Sequence, residues 1–255
     1  MCSCWRRSST ENLSKGYMVG YMSNELERVN TGINGLDELI YGGIPKRNQV
    51  LISGDAGTGK TLLCFEALYR NAKIDIPSTF ITLEESKSSL LENAGGAFST
   101  FDDVDELVSK NTIGVYSYDI TEVLKSTENW QKFVTQIARN SKSNNSQIVV
   151  VDSISSLRPY ADSDRIFTRS VALLVQNLRN LGVTSFITVE TPSLVSEETT
   201  GLFGTFMFDG TIWLNKVNVS GSSQYVISVV KMRRSDHVKS TMPFEITTKG
   251  FNIFK

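Results

Sequence analysis

Little in this chain favours a disulfide-built, metal-caged or membrane-embedded protein. Three cysteines cannot make a disulfide framework. Cys2 and Cys4 form an isolated C-x-C pair in a polar stretch. With His237 the only histidine, they lack the partners a zinc site needs. No apolar run approaches the roughly 18 residues of a spanning helix. The arginine pair Arg6-Arg7 has no apolar segment behind it, so a signal peptide is not expected. Charge of one sign is also missing: 26 Lys and Arg against 27 Asp and Glu leave −1. That excludes a chain-wide basic field for nucleic acid or anionic lipid, though not a local patch. Internal repeats and low-complexity segments are absent too. We therefore expect a cytoplasmic protein with no membrane partner. A 1–22 tail, polar, aperiodic and expected to be disordered, with Met18 and Met22 as alternative starts, precedes one domain over 23–255.

What is present is organised around Gly54-Asp55-Ala56-Gly57-Thr58-Gly59-Lys60-Thr61, a complete G-x-x-x-x-G-K-T phosphate loop. Glycines let backbone N–H groups turn inward around a polyphosphate. Lys60 can reach the β- and γ-phosphates, and the Thr61 hydroxyl can ligate Mg²⁺. The apolar run Gln49–Ser53 leads in as a strand, and a helix follows from Leu62, setting its positive end beneath the phosphates. Cys64 falls on the apolar side of that helix, as a small buried hydrophobe.

Further along, Ser78–Leu83 reads as a strand, and Glu84-Glu85 opens a helix running to about Ala97. The pair can favour the helix dipole, or one carboxylate can orient and deprotonate the water that attacks a γ-phosphate. The residues leave open which of Glu84 and Glu85 would act. Strands are expected near Ile113–Tyr118, Gln147–Ser153 and Val183–Glu190, with helices over Trp130–Arg139 and Arg165–Leu181. Gln147–Val151 is continuously apolar and ends in Asp152, the pattern of a strand buried on both faces whose aspartate reaches Mg²⁺ or its waters. This alternation predicts an α/β fold, a mostly parallel sheet flanked by helices. Strands near 211–214, 224–230, 244–247 and 251–254, joined by short Gly/Ser turns, are expected to extend one edge antiparallel.

Several motifs now coincide in order. Arg28, Thr31-Gly32-Ile33-Asn34-Gly35-Leu36-Asp37, Gly42-Gly43-Ile44-Pro45, the phosphate loop, Glu84-Glu85, Val151-Asp152-Ser153, Thr184–Glu190 and Lys231-Met232-Arg233 with Ser235 and His237 resemble the KaiC-like branch of the RecA-fold ATPases. The resemblance covers residues 26 to 255. It implies ATP and Mg²⁺ as ligands, Lys60 and Thr61 on phosphate and metal, Asp152 supporting the metal, and Glu84/Glu85 supplying the base. It also implies that Lys231 and Arg233 reach a neighbour's γ-phosphate in a homo-oligomeric ring, typically a hexamer. Two departures stand out. Arg47 and Arg234 occupy positions where the family usually has glycine, and arginine does not freely take φ > 0. Just ahead of Asp209, Thr205 is followed by Phe206 instead of the phosphoacceptor pair of the two-domain clock proteins.

Three functions compete. The first is a slow Mg²⁺-dependent ATPase ring whose nucleotide state regulates a partner. The second is a single-stranded-DNA-binding RecA/RadA paralogue modulating recombination or repair, using Lys231, Arg233, Arg234 and Lys239. The third is an ATP switch or weak autokinase signalling to a protein, with Thr199, Thr200 and Thr205 as nearby acceptors.

Overall fold

Runs rich in β-branched and aromatic residues pair into a nine-stranded sheet. The structure, a computed structural model, describes residues 26–123, 125–191, 205–219 and 221–254. The expected tail, Thr199 and Thr200 lie outside these residues. In chain order the elements are β1 (Arg28–Val29), α1 (Leu36–Leu39), β2 (Ile44–Pro45), β3 (Gln49–Gly54), α2 (Lys60–Ala72), β4 (Ser78–Thr82), α3 (Lys87–Ala97), α4 (Val104–Ser109), β5 (Ile113–Ser117), α5 (Ile120–Val123), α6 (Thr127–Ser143) and β6 (Ile148–Asp152). A 3₁₀ segment (Ile154–Tyr160), α7 (Asp164–Leu181) and β7 (Thr184–Glu190) follow. A second 3₁₀ turn (Thr205–Met207), β8 (Gly210–Val219), β9 (Ser222–Met232), β10 (Met242–Thr247) and β11 (Gly250–Ile253) close the series.

Across the sheet the order is β11-β10-β9-β8-β3-β7-β6-β4-β5. Every pairing from β8 to β5 is parallel, and β9, β10 and β11 run antiparallel beyond it. The expectation of an antiparallel tail therefore holds from β9 onward. β8 instead lies parallel to β3, with Val50 opposite Gly210 and Gly54 opposite Leu214.

Two cores sit on opposite faces, and alternation along each strand decides which residue feeds which. Val50, Ile52, Phe80 and Val150 pack with α2, α3 and α4, whereas Leu51, Ile81, Val149 and Val151 pack with α6 and α7. Full burial of a side chain such as Phe65 or Phe80 contributes about 1.5–3 kcal/mol relative to exposure. No helix among the described residues is long and apolar enough to cross a membrane.

Several local readings need correcting. The helix after β4 starts at Lys87 and is capped by Ser86, whose Oγ accepts the Ser89 N–H at 3.1 Å. Glu84 and Glu85 therefore lie in the preceding turn, outside the first helical turn. α6 extends beyond the expected Trp130–Arg139 helix at both ends, from Thr127 to Ser143. Arg47 and Arg234 do adopt the left-handed conformation of the glycines they replace, at φ 66° and 65°. Each has a compensating bond: Arg47 N–H donates to Thr184 Oγ1 at 2.9 Å, and Arg234 Nη2 donates to Lys46 O at 2.6 Å.

The Thr-Gly-Ile-x-Gly-Leu-Asp motif has a structural cause. The half-buried carboxylate of Asp37 accepts the N–H groups of Thr31 and Gly32 and the Thr31 hydroxyl, at 2.8 to 3.0 Å. The loop it folds meets the far end of the chain, where Ile253 N–H donates to Asn34 O at 3.1 Å.

The β10–β11 hairpin is keyed to α2 by one buried acid. Glu66 Oε2 accepts the Phe251 N–H at 2.7 Å, Oε1 accepts Arg70 Nη2 at 3.1 Å, and Arg70 Nη2 also reaches Lys249 O at 2.6 Å. Burial pushes the Glu66 carboxyl above its usual range, against the opposing pull of these donors. Glu66→Ala leaves the Phe251 amide without its acceptor and is expected to cost about 2 kcal/mol in urea denaturation. Glu66→Gln, which can still accept that amide, is expected to cost less; an unchanged midpoint for the Ala variant would remove this key.

Candidate nucleotide site

The site forms where parallel strands present their carboxyl ends, the place an α/β sheet offers to ligands. β3 is flanked there by β7 and β8, so its terminal Gly54 sits between two backbones. A Cβ on Gly54 would stand 2.1 Å from Leu214 O, and one on Gly59 would meet Ile246 Cδ1 at 2.7 Å. Gly54 therefore demands glycine for space against backbone, and Gly59 (φ 91°) chiefly for conformation. Thr58 Oγ1 closes the loop by donating to Asp55 O at 2.8 Å, while Ala56 and Gly57 remain exposed at its rim.

Lys60 is buried beneath the loop, its Nζ donating to Gly54 O at 3.0 Å and Asp55 O at 2.7 Å. Burial lowers its pKa, opposed by the carboxylates of Glu190, Asp152, Glu84 and Asp55. Thr61, the next residue, donates from Oγ1 to Asp152 Oδ2 at 3.0 Å. The other oxygen, Oδ1, accepts the Thr188 hydroxyl at 2.5 Å. Asp152 is only 2% exposed, and desolvation raises its pKa against these two hydroxyls and Lys60. The helix after β3, the end of β6 and the middle of β7 thus meet on one carboxylate.

The two glutamates after β4 part company. Glu85 turns its carboxylate to α3, where Oε2 accepts Ser89 Oγ and Asn93 Nδ2, both at 2.7 Å. Glu84 instead lines a cleft of about 230 Å³ together with Lys60, Thr61, Asp152, Ser153 and Glu190. Desolvation, then repulsion from Asp152 and Glu190, raise the Glu84 pKa; Ser153 and Lys60 act the other way.

Sequence reasoning missed Glu190 as a site residue. It ends β7 directly beside Gly54, its N–H donates to Ser155 Oγ at 2.6 Å, and it is the largest electrostatic influence that raises the Lys60 pKa. A strand-end acid next to the phosphate-loop strand was the available signal, the same one that singled out Glu84 and Glu85.

Lys231 and Arg233 are not in this cleft. Gly54 pairs with Leu214, whereas Val50 pairs with Gly210, which faces Met232. Four residues of strand, about 13 Å, therefore separate them from the loop, toward the opposite end of the sheet. There Lys231 Nζ donates to Phe208 O at 2.7 Å, and Arg233 Nη1 pairs with Asp209 at 3.3 Å. His237 is buried, with Nδ1 3.0 Å from Val238 O, and takes no part in the cleft.

The donor set fits a nucleotide and a hard cation. The loop is open at its Gly57 rim, the buried ammonium now satisfies itself on loop carbonyls, and the oxygens of Thr61 and Asp152 suit Mg²⁺. Among the described residues no group of three or more His, Cys, Asp or Glu could cage a metal. A Mg²⁺ here would draw most ligands from phosphate and water, as it commonly does.

Comparison with known proteins agrees with this chemistry. A family model described as "ATPase: KaiC" matches residues 29–255. A UPF0273 protein of Thermotoga maritima is 30% identical over 90% of this chain and 96% of its own length. The circadian clock oscillator protein KaiC of Picosynechococcus is 31% identical over 90% of this chain but 45% of its own, so the chain spans about half the length of such relatives. The crystal structure of a KaiC-like protein from Pyrococcus horikoshii superposes with a TM-score of 0.79 at 28% identity, over 90% of this chain and all of that one. Replacing Lys60 with Ala is expected to abolish ATP binding in a calorimetric titration. An affinity within a few-fold of wild type would remove the cleft from consideration.

Proposed function

The chain belongs to the KaiC family of ATPases, with a RecA-like α/β fold, and from that premise we propose that it binds ATP with Mg²⁺ around Lys60 and hydrolyses it. The convergence of Lys60, Thr61, Asp152 and Glu84 at the carboxyl ends of β3, β6 and β4 carries this reading. Loop N–H groups and Lys60 hold the β- and γ-phosphates, the ammonium exchanging carbonyl oxygens for anionic ones. Thr61, steadied by Asp152, would hold the metal. When bound there, Mg²⁺ would supply positive charge to offset the negative charge on the phosphates. Glu84 orients the attacking water and accepts its proton, and the burial that raises its pKa strengthens it as a base. Glu85, committed to Ser89 and Asn93, is assigned the structural role of bracing α3.

Lys231 and Arg233 stand too far from their own chain's loop to serve it, which supports their acting on a second copy. We extend this to a cytoplasmic ring, a hexamer, in which each subunit completes the next one's site and nucleotide state sets contacts with a partner protein. The nucleic-acid reading gains less from the same patch. Asp209 and Asp236 neutralise Arg233 and Lys239 there, at 3.3 and 2.8 Å.

Glu84→Gln is expected to bind ATP yet turn over at least about 100-fold more slowly, while Glu85→Gln stays within a few-fold of wild type. The reverse pattern would transfer the base to Glu85. Because the Glu84 pKa is raised, turnover should be lost on acidification at a pH above the ordinary glutamate range. Glu190→Gln, by removing a neighbouring negative charge, should move that acid limb to lower pH. Light scattering without nucleotide and with ATP and Mg²⁺ tests the assembly. Growth that Arg233→Ala weakens supports the ring, and a persistent monomer with ATP bound overturns it.

A further inference from the structure

At the sheet end opposite the cleft, one carboxylate gathers donors from three separate elements. Asp209 lies just before β8, with its side chain 14% exposed. Its Oδ2 accepts the Gln49 N–H at the start of β3 (3.0 Å) and Arg179 Nη2 from the last turn of α7 (3.2 Å). Its Oδ1 accepts Arg233 Nη1 at 3.3 Å. The main chain is pinned as well: Asp209 N–H donates to Gln49 O at 2.8 Å, and Asp209 O accepts the Arg233 N–H at 2.7 Å.

A second clip closes on Arg233 from the other side. Asn48 Nδ2 donates to Arg233 O at 3.3 Å, and Arg234 fixes Asn48 by donating to its Oδ1 at 2.5 Å. This gives a reason for an arginine in left-handed backbone at 234: its guanidinium orients the amide that holds its neighbour. Both backbone polar groups of Arg233 are therefore tied, and its guanidinium, half exposed, is the part free to travel.

We infer that Asp209 is a positioning residue for Arg233, an inference that rests on the proposed role of Arg233 at a second copy's nucleotide. A free arginine side chain has many rotamers to lose when it is placed. Asp209 Oδ1 together with Phe206 O, at 3.1 Å from Nη2, selects one extended conformation in advance. The pair is solvent-exposed on the arginine side, so the hold is weak, and a phosphate of higher charge can take the guanidinium over. When Arg233 leaves, Arg179 and the Gln49 N–H remain on Oδ2, so Asp209 is never a buried carboxylate without a cation. One oxygen serves the fixed frame and the other serves the moving group.

The test is ATP turnover in mixed assemblies. Asp209→Asn keeps an acceptor for the Gln49 N–H and removes the charge. It is expected to lower kcat about tenfold, with KM for ATP within about twofold, because the variant's own phosphate loop is untouched. Mixed in equal amounts with Glu84→Gln before ATP and Mg²⁺ are added, about a quarter of the interfaces join an intact cleft to an intact Arg233 arrangement. Turnover should then exceed the sum of the separate variants, whereas mixing Asp209→Asn with Arg233→Ala should restore nothing. Arg233→Ala mixed with Glu84→Gln tests the premise. Absence of rescue there overturns the trans role of Arg233 and this inference with it. Rescue there, combined with full turnover of folded Asp209→Asn or its failure to be rescued by Glu84→Gln, overturns the inference alone. If Asp209→Asn does not fold, Asp209→Glu is the substitute: with charge kept but geometry altered it should lose kcat and regain activity with Glu84→Gln, and a variant that is fully active or beyond rescue overturns the assignment.

Discussion

A carboxylate that is almost wholly buried must be surrounded by donors, and this requirement at Asp152 sets the geometry of the cleft. Thr61 and Thr188 supply one hydroxyl each, at 3.0 and 2.5 Å, from opposite sides. For both to reach, the start of α2 must overhang the end of β6, and β7 must lie between β6 and β3. The strand order delivers that arrangement, and Lys60 adds the nearby positive charge. Losing either hydroxyl would leave part of a desolvated charge uncompensated, a cost of kcal/mol size. The same contact that stabilises the fold thus aligns the two groups assigned to the metal.

The two ends of the sheet differ in electrostatic character. Glu84, Asp152 and Glu190 crowd around the single ammonium of Lys60 at the carboxyl end. At the other end Arg179 and Arg233 pair with Asp209, and Lys231 lies within its influence. Both excesses are local, so the overall charge of −1 conceals them.

The phosphate loop, β6 ending in Asp152 and the alternation of strands and helices were legible because each is written in contiguous residues. The choice between Glu84 and Glu85 was not. It turns on side-chain direction: Glu85 faces Ser89 and Asn93, one and two turns into α3, whereas Glu84 lines the cleft. Glu190 carried the same strand-end signal as Glu84, but only its pairing with Gly54 across the sheet shows that it reaches the cleft. The direction of β8 was hidden for a similar reason, since it is fixed by pairing with a strand far earlier in the chain. At Arg47 and Arg234 the rule disfavouring positive φ for arginine was outweighed by hydrogen bonds to remote residues, which no reading of neighbours could supply.

The central position of β3 also bears on how the protein is made. Gln49 lies 136 residues before Ser185, its side-chain partner on β7, and the other flank of β3 is filled by β8, which comes later still. At ribosomal rates of about 5–20 residues per second, the strand carrying the phosphate loop waits on the order of ten seconds for its first neighbour. For that interval an apolar segment with two open edges is exposed, and its protection rests on α2 folding over it or on help from a chaperone. Formation of the nucleotide site is therefore a late event in the life of the nascent chain.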